Sequence, residues 1–289
     1  MGKLQANNNE KPLKSIQLYY VTDPICSHCW AFEPIIRRFL LQYGEYFDFH
    51  TVMGGLLEEW GDGPIDPENG IYTPADVVSH WREVGVHARM PIDGSLMIDN
   101  PVESSYPPSR VFKIVQKRYH DKVANVYLRR IREALFVFNR NISDIAVLVD
   151  ILNNMNLNGE SIVTEAEQHI GQKLLDEDFT LAHNMSVEGF PTIIMKNKQN
   201  ETVNIFGSRP LVEYVNELKK SLNIEELQAK QQPSLRCLLE EEKLLFYKEI
   251  EVMYDVEPTD VDAFIKRELS LEYYQVKEVL GEHYIITII

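Results

Sequence analysis

Two hydrophobic periodicities alternate along the first 222 residues. Ile16-Gln17-Leu18-Tyr19-Tyr20-Val21 alternates and is rich in aromatic and β-branched residues, which predicts a strand. From Trp30 to Leu40 the apolar residues fall at helical spacing, ending near Gly44, and residues 47–52 read as a second strand. Far downstream, Pro191 opens a strand-like run, Thr192-Ile193-Ile194-Met195. Residues 201–207 read as the next strand and residues 209–222 as a closing helix.

The long interval between these halves is helix-patterned. A Gly/Pro-rich loop at 61–67 comes first, then a capped start with Thr73 at the N-cap and Pro74 at the first helical position. Residues 109–119 and 122–138 carry apolar residues three and four apart, another helix opens at 143, and 161–184 is a long amphipathic stretch. Beyond the polar break at 228–234, residues 235–254 have strong helical periodicity. Residues 258–267 and 270–280 read as two shorter helices, with Ser270 as an N-cap, and 282–289 as a final strand.

Chemistry enters at the junction of the first strand and first helix, where Cys26-Ser27-His28-Cys29 places two thiols two residues apart. Strand, thiol pair, helix is the thioredoxin-like reading of a C-x-x-C. A cysteine at a helix N-terminus feels the positive end of the helix dipole, which favours thiolate. Cys26 is the expected nucleophile and Cys29 the buried resolving thiol; His28, if protonated, adds to the stabilisation. Pro191 agrees, because thioredoxin-like folds place a cis-proline at that strand start, facing the thiols and opening a groove for an extended peptide. The expected architecture is an α/β thioredoxin-like (DsbA-type) domain made of residues 15–55 and 185–222. A helical insertion at 56–184 interrupts it. A flexible polar segment at 1–14 precedes it, and a mostly helical, winged-helix-like module at 235–289 follows.

Composition narrows the function classes. At 289 residues the chain carries about two domains' worth of core, and its apolar and charged fractions are those of a soluble globular protein. The third cysteine, Cys237, is remote, so no disulfide framework is implied. No signal peptide is visible in the polar start, and no apolar run approaches the ~20 residues of a membrane span; a cytoplasmic protein with reduced thiols is the expectation. A net charge of −15 argues against nucleic acid and anionic membrane. Residues 221–289 hold 15 Asp/Glu against 7 Lys/Arg, a net of −8, so a winged-helix-like module there reads as a protein-contact module. Tyr273 and Tyr274 are its candidate interface aromatics.

The remaining site readings stay open in pairs. Asp23, three residues before Cys26, is either a buried proton acceptor for Cys29 or a solvent-facing cap of the strand-to-helix turn, and the Asp-Pro sequence favours the cap. Cys26, Cys29 and His28 could hold zinc, with Cys237 as a fourth ligand, but a pair closed by zinc is not free for thiol exchange. His50, His80, His87, His120, His169, His183 and His283 are scattered without metal-ligand spacing. No cofactor is expected.

The run Asp23-Pro24-Ile25-Cys26-Ser27-His28-Cys29-Trp30-Ala31-Phe32-Glu33-Pro34, with Met53-Gly54-Gly55-Leu56-Leu57 and Gly189-Phe190-Pro191-Thr192, resembles the DsbA family and its cytoplasmic FrnE-like branch. The fuller resemblance, which includes the C-terminal region, is to the SpxH (YjbH) adapters of Firmicutes. It implies a protein that delivers the transcription regulator Spx to the ClpXP protease, touching ClpX weakly or indirectly, and so holds a thiol-stress response off. The DsbA likeness implies the alternative, a thiol-disulfide oxidoreductase that uses Cys26 and Cys29.

Overall fold

The structure, a computed structural model, describes residues 15–288 apart from 62, 64 and 68, so the polar N-terminal segment and part of the Gly/Pro-rich loop lie outside the described residues. Strands β1 (Ile16–Thr22), β2 (Phe47–Met53), β3 (Thr192–Lys196) and β4 (Thr202–Phe206) form one sheet in the order β2-β1-β3-β4. β1 and β2 are parallel, joined through helix α1 (Ser27–Tyr43), while β3 runs antiparallel to both β1 and β4. Alternation along β1 feeds two cores. Ile16, Leu18 and Tyr20 pack with Phe32, Ile36 and Phe39 of α1, and Val21 packs with Val52, Ile194 and Ala182 on the other face.

The insertion consists of α2 (Pro74–Ala88), α3 (Leu96–Asp99), α4 (Tyr106–Arg132), a π-helical turn at Glu133–Val137, α5 (Ile145–Asn154), α6 (Gly159–Ala166) and α7 (His169–Asn184). It contains most of the largest apolar cluster of the molecule, which Trp30 of α1 enters from the thiol side. The two helices expected at 109–119 and 122–138 are one rod, α4, kinked where they were expected to separate. His120 there adopts φ 66° and ψ 175°, a conformation that costs a side-chain-bearing residue about 1–3 kcal/mol. Because His120 is exposed, His120→Gly is expected to raise stability by about 1 kcal/mol. A urea midpoint equal to or below the parent's would show that the imidazole repays the strain.

After α8 (Leu211–Leu222) the chain builds α9 (Leu235–Glu242), β5 (Leu244–Phe246), α10 (Tyr247–Tyr254), α11 (Val261–Glu268), β6 (Tyr274–Val279) and β7 (Glu282–Thr287). The strands form a second sheet, β5-β7-β6. Helix, strand, two helices and a hairpin follow in that order, with two departures from the sequence reading. The helix expected over 235–254 is broken at Lys243, which turns through φ 66° and lets β5 pair with β7. The helix expected at 270–280 is strand β6, because Leu280 and Gly281, at φ 53° and 81°, make the tight two-residue hairpin loop that zips β6 onto β7.

This C-terminal unit docks through a one-sided charge seam. Arg37 of α1 meets Glu242 at 2.7 Å and Glu249 at 2.9 Å, Arg129 of α4 meets Glu249 at 2.6 Å, and Arg89 after α2 meets Glu251 at 2.6 Å. Every cation in these pairs comes from the first 222 residues and every carboxylate from beyond them. Phe246 lies edge-on to Trp30 at 5.7 Å, and the Arg129 guanidinium stacks 4.9 Å from the Trp30 ring.

Candidate thiol site

β1 ends at Thr22, and Asp23-Pro24-Ile25 turns the chain into α1. Cys26 is the N-cap: its Sγ accepts the Cys29 N–H at 3.3 Å, and its carbonyl accepts from Cys29 and Trp30 at 3.1 Å each. The Phe190–Pro191 bond is cis, and the Phe190 carbonyl stands 3.8 Å from Cys26 Sγ. The Phe190 ring lies against Gly54, where an added Cβ would come within 2.1 Å of it, so only glycine admits the ring at that place. The cis Phe190–Pro191 peptide thus meets the thiol pair through the Phe190 carbonyl.

Asp23 combines parts of the two readings open to it. It caps the turn, accepting from Ile25 N–H at 3.0 Å, Leu56 N–H at 2.8 Å and the Ser105 hydroxyl at 2.9 Å, yet it is fully buried rather than solvent-facing. Burial raises its pKa, and these donors hold the rise in check. Through Ser105 it also ties the thiol turn to the insertion.

Both sulfurs are free thiols and both are buried, Cys26 at 5% exposure and Cys29 at 0%. Beneath them Arg132, fully buried, donates to Glu33 at 3.0 Å, to the Thr22 hydroxyl at 2.5 Å and to the Asp23 carbonyl at 3.1 Å. Burial works against a thiolate at Cys29, but the hydrogen bond with the Cys26 thiol, the Arg132 charge and the Thr22 hydroxyl outweigh it and hold Cys29 below its ordinary pKa. Cys26 is pushed well up, first by burial and then by that same shared proton. The pair therefore loses one proton readily and the second with difficulty. The single negative charge is shared across the pair, and access favours Cys26 as the attacking sulfur, since it lines the groove while Cys29 does not.

The groove is about 420 Å³ and is walled by Trp60, Trp81, His28, His80 and Phe190. His28 stands edge-on to His80 with ring centres 5.3 Å apart. Desolvation by the wall and the neighbouring imidazole lower its pKa, so it is neutral at pH 7 and adds no charge to the thiols. Cys237 is exposed on α9, and among the described residues no group of three or more His, Cys, Asp or Glu is arranged to hold a metal.

Arg132, Glu33, Thr22 and Ser105 escaped the sequence reading. A signal for Arg132 was present, since it sits among the buried Leu128 and Ile131 at the end of α4 and Leu135 in the turn that follows. Removing its charge with Arg132→Gln is expected to raise the pair's first pKa, moving the pH profile of Cys26 alkylation by iodoacetamide to higher pH. An unmoved profile in a folded variant would disconnect Arg132 from the thiols.

The family described as thioredoxin (Thioredoxin_5) matches residues 19–216. Among solved structures, the cytosolic disulfide reductase DsbM from Pseudomonas aeruginosa superposes with a TM-score of 0.57 at 18% identity, covering 72% of this chain and 98% of that one. A 2-hydroxychromene-2-carboxylate isomerase superposes at 0.50 with 11% identity, covering 73% and 100%. These likenesses establish the DsbA-type fold, which hosts unrelated chemistries. Curated relatives extend further. The ClpXP adapter protein SpxH of Halalkalibacterium halodurans is 27% identical over 90% of this chain and 85% of its own length. The SpxH of Bacillus subtilis is 27% identical over 89% and 84%. The chain belongs to the thioredoxin family, in its DsbA-like form, and along most of its length it is similar to the SpxH adapters.

Proposed function

We propose that the chain is an adapter that binds the transcription regulator Spx in the cytoplasm and promotes its degradation by ClpXP. The observation that carries this reading is the extent of the similarity. The disulfide reductase fold accounts for 72% of the chain, whereas the adapter similarity accounts for 90% and so takes in most of what lies beyond the thioredoxin match. The winged-helix-like C-terminal unit fits a role in protein contact, because residues 235–289 hold 13 Asp/Glu against 6 Lys/Arg and so repel phosphate. An adapter acts by raising the local concentration of its client at the protease, which needs surfaces rather than turnover.

One arrangement supports a second reading, thiol-disulfide exchange. Cys26, at the groove, would attack a client disulfide sulfur, forming a mixed disulfide and releasing the client's other thiolate. Cys29 would then attack Cys26 Sγ, leaving the Cys26–Cys29 disulfide and a client reduced by two electrons. The double variant Cys26→Ala, Cys29→Ala separates the readings. In reducing buffer it is expected to accelerate Spx degradation by ClpXP at a rate close to the parent's. Loss of most of the acceleration would make the thiols essential to delivery.

A further inference from the structure

We propose that the open edge of β4 is where the chain takes up an extended segment of its client, as an added strand whose carboxylates meet Arg209 and Lys219. This rests on the adapter reading and names the surface for it. The Gly207 N–H donates to the Pro191 carbonyl at 2.8 Å, and β3 and β4 pair without a bulge from Thr192↔Phe206 to Lys196↔Thr202. By antiparallel alternation the backbones of Val203 and Ile205 face β3, and the N–H and C=O groups of Thr202, Asn204 and Phe206 point to the open side.

Open edges are normally blunted by charge, proline, bulges or brevity. β2 carries Asp48 and His50 and is met by α4, where Thr51 bonds Asn125 at 2.7 Å. β5 has only three residues, and β6 carries Lys277 and Glu278. β4, Thr-Val-Asn-Ile-Phe, has none of these devices. A trough of about 620 Å³ runs between it and α8, lined by Val203, Ile205, Asn216 and Lys219 among others. At its end Phe206, 56% exposed, also lines the thiol groove, so the two surfaces are continuous.

Charge selects the occupant. Glu217 is taken by Lys220 at 2.6 Å, which leaves Arg209 and Lys219, neither in an ion pair among the described residues, against Glu213 alone. That is a local positive excess on a chain of net −15. A second copy would bring a β4 with no carboxylate to meet these cations, and the repulsion of another −15 body. An extended segment bearing carboxylates, pairing through its backbone, satisfies both the edge and the trough.

The test uses the full chain and Spx. In the complex, amide exchange at Thr202, Asn204 and Phe206 is expected to slow by at least about tenfold. Asn204→Pro deletes an outward N–H, a substitution that edge strands tolerate, and is expected to weaken Spx binding by about tenfold. A melting curve checks that losing the Asn204–Met185 side-chain bond leaves the fold intact. Unchanged exchange at the three amides in a formed complex would overturn the edge while leaving the adapter reading standing. A dimer by light scattering that Asn204→Pro dissociates would overturn it in favour of self-pairing. A wild-type chain that does not bind Spx would overturn both.

Discussion

Glu249→Ala is expected to cost about 3–5 kcal/mol, lowering the urea midpoint without changing the slope. The carboxylate is 2% exposed and receives Arg129 at 2.6 Å and 2.9 Å and Arg37 at 2.9 Å, besides the Phe246 N–H at 3.0 Å. Alanine would leave two guanidinium groups beside a buried gap. Arg129, 3% exposed, would keep Glu133 as its ion-pair partner, with Trp30 and Phe246 stacked over it. Asp255→Ala is the internal control: Asp255 also pairs with an arginine, Arg38, but is 75% exposed, so its loss should cost no more than about 1 kcal/mol. Equal costs for the two variants would contradict the seam as a buried electrostatic lock.

The same pair sets a pH dependence. Burial pushes the Glu249 carboxyl up, but the Arg129 and Arg37 charges and their hydrogen bonds outweigh it, and the folded pKa lies below the ordinary 4.5. A folded pKa below the unfolded one gives stability that is full above pH 4.5 and is lost as pH falls through the folded value. Acid should therefore loosen the C-terminal unit, and Glu249→Ala should flatten that part of the stability–pH curve.

Truncation after Leu222 is expected to leave a folded but weakened thioredoxin-like core. Leu244, Phe246 and Tyr284 belong to the same apolar cluster as Trp30, Trp81, Phe112 and Phe136, so their loss uncovers the insertion's core rather than a polar face. Losing Phe246 alone corresponds to about 3–5 kcal/mol. The arginines of the seam would regain water and so add little. The truncated chain should melt at least about 10 °C lower and bind a hydrophobic dye, and it should deliver Spx poorly. A melting temperature equal to the parent's would mean that the cluster does not depend on the C-terminal unit. Undiminished delivery would remove that unit from the mechanism.

What the sequence disclosed follows from how local each determinant is. The C-x-x-C sits within one strand–helix junction, and Pro191 begins its own strand, so both could be read from neighbouring residues. β6 was misread because Glu272 to Glu278 has helix-compatible composition, and only pairing with β7 makes it a strand. Lys243 breaks its helix without glycine or proline to announce it. Arg132 and Glu33 are 99 positions apart and Arg129 and Glu249 are 120 apart, so the ionic floor of the thiol site and the seam behind it exist only in three dimensions.

Delivery is tested most directly by reconstituted degradation of Spx by ClpXP with and without this protein, thiols kept reduced. Marked acceleration that saturates with the amount of the chain is expected. Degradation at the same rate in its presence, with folded Spx and active ClpXP, would contradict it.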